Sequence, residues 1–388
     1  MTLYLLDPIQ PGAAWAPYAG ALPLGELRAG AWRLHERWRR ALGGPVAGHI
    51  APHAAGPRPT GAIPIVAATA VTGPAWVVDS TFSPKLPMRA VGGAKRLLSG
   101  GRAVAWRLDA GEQWSGPHND GDGIVIEGLV LRGAFDLITA LEQQLFNDLL
   151  GSLDGKSDPI PDGVIVFGNP GAIALRGAVL EPGVILDARK GAIILERGVE
   201  VRAGTRIEGP ALVDHDTFLL GGQLRQVSVG PHCRIHGEIS ATVFQGYANK
   251  SHDGFLGHSV VGEWVNLGAG TITSNLKNTY GPIRLDIGAE RVETGRTNLG
   301  TLFGDHAKTA IGTLMPTGAV VGTGANLFGP PRAPKWVPAF AWGGDSAEKL
   351  ALDAFIATAG RILPRRQVAV DAAMEASLRG LHARLVRD

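Results

Sequence analysis

The sequence holds a single cysteine, Cys233, in 388 residues, so no disulfide can form within the chain. That usage fits a reducing compartment. No apolar run approaches the ~18 residues of a membrane-spanning helix. The opening "MTLYLLDPIQ" lacks a basic stretch followed by a long apolar one. No signal peptide is therefore expected, and the expected location is the cytoplasm. The net charge is +2 with histidine neutral, too even a balance for a dedicated nucleic-acid binder.

Glycine is what the chain has in excess. It occurs 55 times, beside 26 prolines, about twice ordinary usage. The apolar fraction is nonetheless 45%, which excludes a disordered chain. Glycine together with valine, isoleucine and leucine implies many short strands joined by tight turns. The length accommodates two or three domains.

The patterning divides the chain into three regions. Residues 1–155 mix short apolar runs bounded by Gly, Pro or Asp with helical periodicity. "TLYLL", "IPIVA", "WVVD" and "GIVIEGLVL" read as buried strands. "AWRLHERWRRAL" places Ala31, Leu34, Trp38 and Leu42 on one helical face, with Arg33, Arg37 and Arg40 pointing elsewhere. "AFDLITALEQQLFNDLL" sets Leu137, Leu141, Leu145 and Leu149 in register. Strands alternating with helices predict an α/β layer domain. The polar, Gly- and Pro-bearing stretch 151–163 is the expected linker.

From Gly163 the period becomes six. Ile173, Val179 and Ile185 are six apart, as are Leu195, Val201, Ile207 and Val213, then Val229 and Ile235, then Phe255, Val261 and Leu267. Ile311-Gly312 resumes the pattern. A repeat of six suits neither a helix nor simple alternation. It is the hexapeptide signature of a parallel β-helix, expected over 160–335. The breaks at 214–228 and 273–300 are expected to loop out of the coil and so to be places for function. Residues 336–388 turn helical again, in "SAEKLALDAFIATAGRIL" and "VAVDAAMEASLRGLHARLV".

Two histidines, His252 and His258, fall in "GYANKSHDGFLGHSVVGEWVNLGAGTITSN". Imidazole, with an ordinary pKa of ~6.5, suits proton removal near neutral pH. From the residues alone, His252 is equally a proton acceptor or a turn residue capped by Asp253. Cys233 in "GPHCRIHG" reads as a small apolar filler.

The stretch "SHDGFLGHSVVGEWVNLGAGTITSN", with "GDHAKTAIGT" and the early "PLGELRAG", resembles a known family. It is similar to a divergent branch of the bifunctional UDP-N-acetylglucosamine pyrophosphorylase / glucosamine-1-phosphate N-acetyltransferases. The resemblance is densest from Phe244 to Gly329. It implies a nucleotidyltransferase-like α/β domain followed by a left-handed parallel β-helix and a helical C-terminal tail. It implies UDP-N-acetylglucosamine biosynthesis, with acetyl-CoA as co-substrate and a homotrimer as the assembly. Generic strand chirality would favour the opposite hand.

Residue by residue, the resemblance makes His252 the catalytic base. Asn266 and Asn275 match asparagines near the sugar and acyl groups. Ala269 matches a residue whose backbone contacts the acyl donor, and Thr313 stands where the family has a serine near acetyl-CoA. Lys277 stands for a lysine of the following loop. Lys250 stands for a substrate-binding lysine but lies two residues before His252 instead of three, and Phe255 replaces a tyrosine. In the N-terminal domain the family's Gly-rich phosphate loop is replaced by "LLDPIQPGAAWAPYAG". Arg28 and Lys85 are the residues there for phosphate contacts, and Asp79 is the carboxylate for a Mg2+ ion at a strand's C-terminal end. Salt bridges and helix caps are the plain alternative for all three. Two further readings remain. One is a zinc-dependent hydratase on the same scaffold, using His252, His258 and His306. The other is a non-catalytic protein that binds sugar nucleotides.

Overall fold

The computed structural model describes residues 1–55, 59–344 and 348–386. Its N-terminal part is a six-stranded mixed sheet. Thr2–Leu6 lies between Val46–Ile50 and Ala75–Asp79, parallel to both. Arg102–Leu108, antiparallel to Ala75–Asp79, then pairs with Arg96–Ser99, and Ile124–Val125 closes the far edge. Helices α1 (Leu34–Leu42) and α2 (Asp136–Leu150) belong to this part.

From Ile165 onward the chain winds as a parallel β-helix of triangular section. The first face stacks Ile173–Leu175, Ile193–Leu195, residues 211–213, 227–229 and 242–244, Val260–Val261, Thr301–Phe303, Ala319–Val321 and Trp336–Val337. The second carries Val179–Leu180, Glu200–Val201, Phe218–Leu219, Arg234–Ile235, Asn249–Lys250, Asn266–Leu267, Lys308–Thr309 and Asn326–Leu327. The third carries Ile185–Asp187, residues 206–208, 223–225 and 238–240, Phe255–Gly257, Ile272–Thr273 and Leu314–Met315. The fold class expected from the hexads is the one observed.

The inward row is wholly apolar over long stretches: Leu195, Val201, Ile207, Val213, Val229, Ile235, Val261 and Leu267 are all at most 1% exposed. Each such side chain contributes about 1.5–3 kcal/mol by leaving water. Elsewhere the phase differs from the reading by hexads. Val179 and Ile311 point out, at 63% and 81% exposed, and Leu180 points in. Leu256 is the buried apolar side chain of its strand, and Phe255 is only half-buried. Nor does 214–228 loop out. Phe218–Leu219 and Gln223–Val229 continue the coil. The reason is coil length. Three hexads need about eighteen residues, but Arg206 to Gln223 is 17 residues and Gln223 to Glu238 is 15. Earlier coils are longer than eighteen, Val179 to Glu200 being 21 residues, and each departure in either direction shifts the phase of the neighbouring strands. The segment after Thr273 does leave the coil, forming the hairpin Arg284–Ile287/Glu290–Glu293 before re-entering at Thr301.

The two parts are packed on one another. The outward residues of the first face are also apolar: Ala174, Ile194, Leu212, Val243, Val260, Leu302 and Val320. Helix α2 covers them with Leu137, Leu141, Leu145 and Leu149, the row expected from sequence. Leu285 of the excursion hairpin joins the same core. Arg28 pairs with Asp214 at 2.8 Å and Arg33 with Glu263 at 2.7 Å, pinning the N-terminal part to the coil. Arg37, which the sequence sets off the apolar face of α1, is fully buried and ion-paired with the buried Asp148. The tail helices α3 (Leu352–Ile362) and α4 (Ala372–Leu385) pack on the corner between first and second faces, where Phe355, Leu363 and Leu378 meet Trp264 and Phe340.

The phase can be tested at one strand. Leu180→Ala should cost about 2–5 kcal/mol in urea unfolding, and the neighbouring Val179→Ala should stay within about 0.5 kcal/mol. The reverse order would restore the uninterrupted hexad frame.

Candidate active site

His252 sits at the corner between the second and third faces, exposed, in the turn between Asn249–Lys250 and Phe255–Gly257. The turn needs Gly254, whose φ of 132° places a side chain in a strained region; a Cβ there would lie 2.3 Å from Thr271 O. Below it, Gly270 N donates to Asp253 O at 3.0 Å and Gly312 N donates to Ala269 O at 2.8 Å. The corner therefore stacks His252–Asp253, Ala269–Gly270 and Ile311–Thr313 on successive coils. His252, Ala269 and Thr313 are thus brought onto one edge. Thr313 Oγ1 donates to Ala310 O at 2.8 Å.

Lys250 is not on the surface with them. It occupies an inward position, paired in register with Ile235, and is 1% exposed. Its Nζ donates to His236 O at 3.3 Å and to His252 O. Burial pushes the ammonium down to about 8, and Asp253 opposes it. The expectation of a substrate-binding Lys250 is corrected. The strand alternation turns this lysine into the core, where it ties down the turn that presents His252.

The third face carries a second group. Asn275 Nδ2 lies 2.8 Å from His258 Nδ1. His258 occupies the next corner with φ 47°. Its Nε2 is 3.9 Å from Glu142 of α2, which also accepts from Arg296 Nη2 at 2.7 Å. Burial is the main effect that lowers the His258 pKa; Arg296 and Arg225 add to it, and Glu142 opposes it. Arg225 Nη2 donates to Ser240 Oγ at 3.1 Å on the same face. Phe255 covers Gly257: a Cβ at Gly257 would lie 2.4 Å from the ring and 2.9 Å from Asn275 Nδ2.

Asn266 is elsewhere. It lies on the second face, its Oδ1 accepting from Asn249 Nδ2 at 2.8 Å. One chain does not bring Asn266 and Asn275 together. Lys277 stays within the excursion, its Nζ donating to Pro282 O. His252, His258 and His306 occupy three different corners, so one chain cannot offer them to one zinc ion. Among the described residues the groups with metal-ligand spacing are Glu26–His35–His49 and His215–Asp216–His232.

In the N-terminal part a cleft of about 710 Å3 opens at the C-terminal ends of Thr2–Leu6, Val46–Ile50 and Ala75–Asp79, lined by Asp7, Ile9, Asp79, Arg102, Trp106 and Trp114, among others. This is where open α/β sheets bind ligands. Asp79 Oδ1 accepts from Thr81 N and Oγ1, both at 2.7 Å, and Oδ2 pairs with Arg102 at 2.9 Å. Burial raises its pKa; Thr81 and Arg102 oppose that. With both oxygens occupied and a guanidinium in place, this arrangement does not fit Mg2+. Arg28 is 3% exposed and held by Asp214 and Ala31 O, outside the cleft. Lys85 is exposed, pairs with Glu127 at 2.5 Å and borders a different hollow. Asp79 alone of the three lines the cleft.

Sequence reading missed Arg225, because it falls in the supposed break 214–228. It missed Glu142 and Arg102 because their contacts are long-range. Asp7, directly after the first strand, was visible in "LLDP".

No protein-family model matches the chain. It is similar to curated relatives over part of its length. It is 29% identical over 151 residues to a bifunctional sugar-1-phosphate nucleotidylyltransferase/acetyltransferase of Sulfurisphaera tokodaii, covering 36% of each chain. It is 35% identical over 86 residues to the bifunctional protein GlmU of Methanocaldococcus jannaschii, covering 22% of this chain and 21% of that one. It is 30% identical over 158 residues to GlmU of a Jannaschia species, covering 37% and 33%. The matched part thus spans between about a fifth and just over a third of those relatives. The resemblance read from the residues is to a divergent branch of this family.

The buried ammonium makes a pH prediction. Its folded value of about 8 lies below the ordinary 10.5, so the unfolded chain holds more protons between those values and stability rises with pH. The stability of the wild type relative to Lys250→Met should therefore rise between pH 8 and 10.5 in urea unfolding. Lys308 titrates similarly in both proteins and cancels. A gap that does not move would show an ammonium left in water.

Proposed function

Taking the chain as a divergent relative of these bifunctional transferases, we propose that its β-helix transfers an acetyl group from acetyl-CoA to the amine of an amino sugar 1-phosphate. The observation that supports this is the corner: an exposed His252 stacked over the backbone of Ala269 and over Thr313, at a turn anchored from inside by Lys250. The amine attacks the thioester carbonyl, forming the C–N bond, and His252 accepts the ammonium proton. The tetrahedral adduct then collapses, the C–S bond breaks, and the thiolate leaves as coenzyme A after protonation. No enzyme-bound acyl group is needed, because positioning supplies much of the rate. The glycine-flanked backbone at Ala269 is the group to meet the acyl donor. Arg225 is the cation on the third face for the sugar's phosphate, and Asn275 contacts the sugar beside Phe255.

The working unit is a homotrimer. Ile272 and Leu314, in register on the third face, are 43% and 45% exposed and extend the apolar row that begins at Phe255. A neighbouring second face placed there would bring Asn266 to Asn275, which one chain keeps apart. Leu314→Asp should reduce the mass in light scattering from three chains to one; a wild-type monomer would remove the trimer.

The N-terminal cleft is proposed to bind a sugar nucleotide without the family's amide cradle. Pro8 and Pro11 come after the first strand, and each removes an N–H donor. Trp106, Trp114 and Arg102 supply aromatic and cationic contacts instead.

Incubation with glucosamine 1-phosphate and acetyl-CoA should release free thiol. His252→Ala, at an exposed site, should fold normally and lose about 10²–10⁴-fold in rate. A rate near wild type in that variant would sink the assignment of the base.

A further inference from the structure

A second lined space lies on the second face, under the tail. It is a pocket of about 250 Å3, bordered by Asn249, Asn266 and Lys308 from the coil, by Tyr247 and Trp264 at the corner, and by Ile362, Arg365 and Arg366 from the end of α3 and the turn after it. The three coil residues are stacked in register, Asn249 on Asn266 and Asn266 on Lys308, so their side chains leave the face as one column. Tyr247 and Trp264 stack at 4.3 Å and form the wall at the corner.

The lining is one-sided in charge. Three cations border the pocket and no carboxylate does. Lys308 Nζ donates only to His306 O, at 2.9 Å, and Arg366 donates to His232 O from Nε at 3.1 Å and to Arg365 O from Nη1 at 3.4 Å. Among the described residues none of the three forms an ion pair with Asp or Glu. Burial pushes the Lys308 ammonium down to about 8 and lowers Arg366 as well. The nearby Glu263 is engaged by Arg33 at 2.7 Å. Gathering cations in a partly desolvated space without a counter-charge costs free energy. An anion placed among them removes that cost. Guanidinium forks with amide donors are the usual recognition set for phosphate oxygens.

We infer that this pocket is a binding site for a phosphate or diphosphate group, with Lys308, Arg365 and Arg366 as its cations and Asn249 and Asn266 as its amide donors. Its volume lies below the range of about 300–1,000 Å3 that encloses a drug-sized ligand, so it holds the phosphate end of a larger molecule and leaves the rest outside. The tail then has a task beyond covering apolar surface: it brings two arginines over a column that the coil alone would present to solvent. The site shares Asn266 with the acetyl-transfer proposal, but its cations take no part in that chemistry, and its test reads binding alone.

Calorimetric titration of the full chain with inorganic phosphate, pyrophosphate, ADP and glucosamine 1-phosphate tests it. Pyrophosphate should bind, more weakly at higher salt. Lys308→Met and Arg366→Met should each weaken it by about tenfold or more. Lys308 stands on the coil, so its variant leaves the tail in place even if Arg366→Met loosens it. ADP binding as tightly as pyrophosphate, and weakened in Lys308→Met, identifies a nucleotide diphosphate as the source. Glucosamine 1-phosphate binding most tightly, and weakened in Lys308→Met, identifies the sugar phosphate. Absence of binding by all four probes at millimolar concentration, or wild-type affinity in Lys308→Met, overturns the site.

Discussion

The architecture turns on one face of the coil that is apolar on both sides. Along Ile193–Leu195, residues 211–213 and 242–244, inward and outward positions alike are buried. Such a face cannot be left in water, and α2 with the excursion hairpin lies over it. That contact joins the N-terminal part to the coil and occupies one face of the three. It also delivers Glu142 from α2 and Arg296 from the excursion to the edge of the third face, beside His258.

The remaining corners divide the work. The first-to-second corner carries large rings, His232, Tyr247, Trp264, His306 and Phe340, all at positive φ, and the tail packs against it. The second-to-third corner carries a positive-φ glycine on successive coils, Gly254, Gly270 and Gly312, and there His252 stands over Ala269 and Thr313. Placing lysine in the core at that point is costly unless its protons are used. Lys250 uses them on backbone carbonyls of the corner itself, including that of His252. A substrate contact implied by the resemblance has become an internal support for the proposed base.

Much of the fold was legible in the residues. Leu195 to Val213 at steps of six fixed the inward row, and the α2 leucines declared their buried face. The tail read as helical from its Ala- and Leu-rich register. What was not legible depended on coil length or on distance along the chain. Corners shortened between Arg206 and Glu238 concealed the coil there and, with it, Arg225. The phase at Phe255 and Leu256 slipped by one residue for the same reason. The burial of Arg37 was not legible because its partner, Asp148, lies on another helix. The pocket under the tail needed residues 249, 266, 308, 365 and 366 at once, and no local pattern links them.

The central claim is that acyl transfer takes place at the His252 corner and not in the N-terminal cleft. A crystal structure of the chain soaked with coenzyme A and a UDP-sugar tests this most directly. The account predicts coenzyme A along the corner of Ala269 and Thr313, its thiol end toward His252, with the UDP-sugar in the cleft by Trp106 and Arg102. Coenzyme A bound in that cleft, with the corner empty, would contradict it.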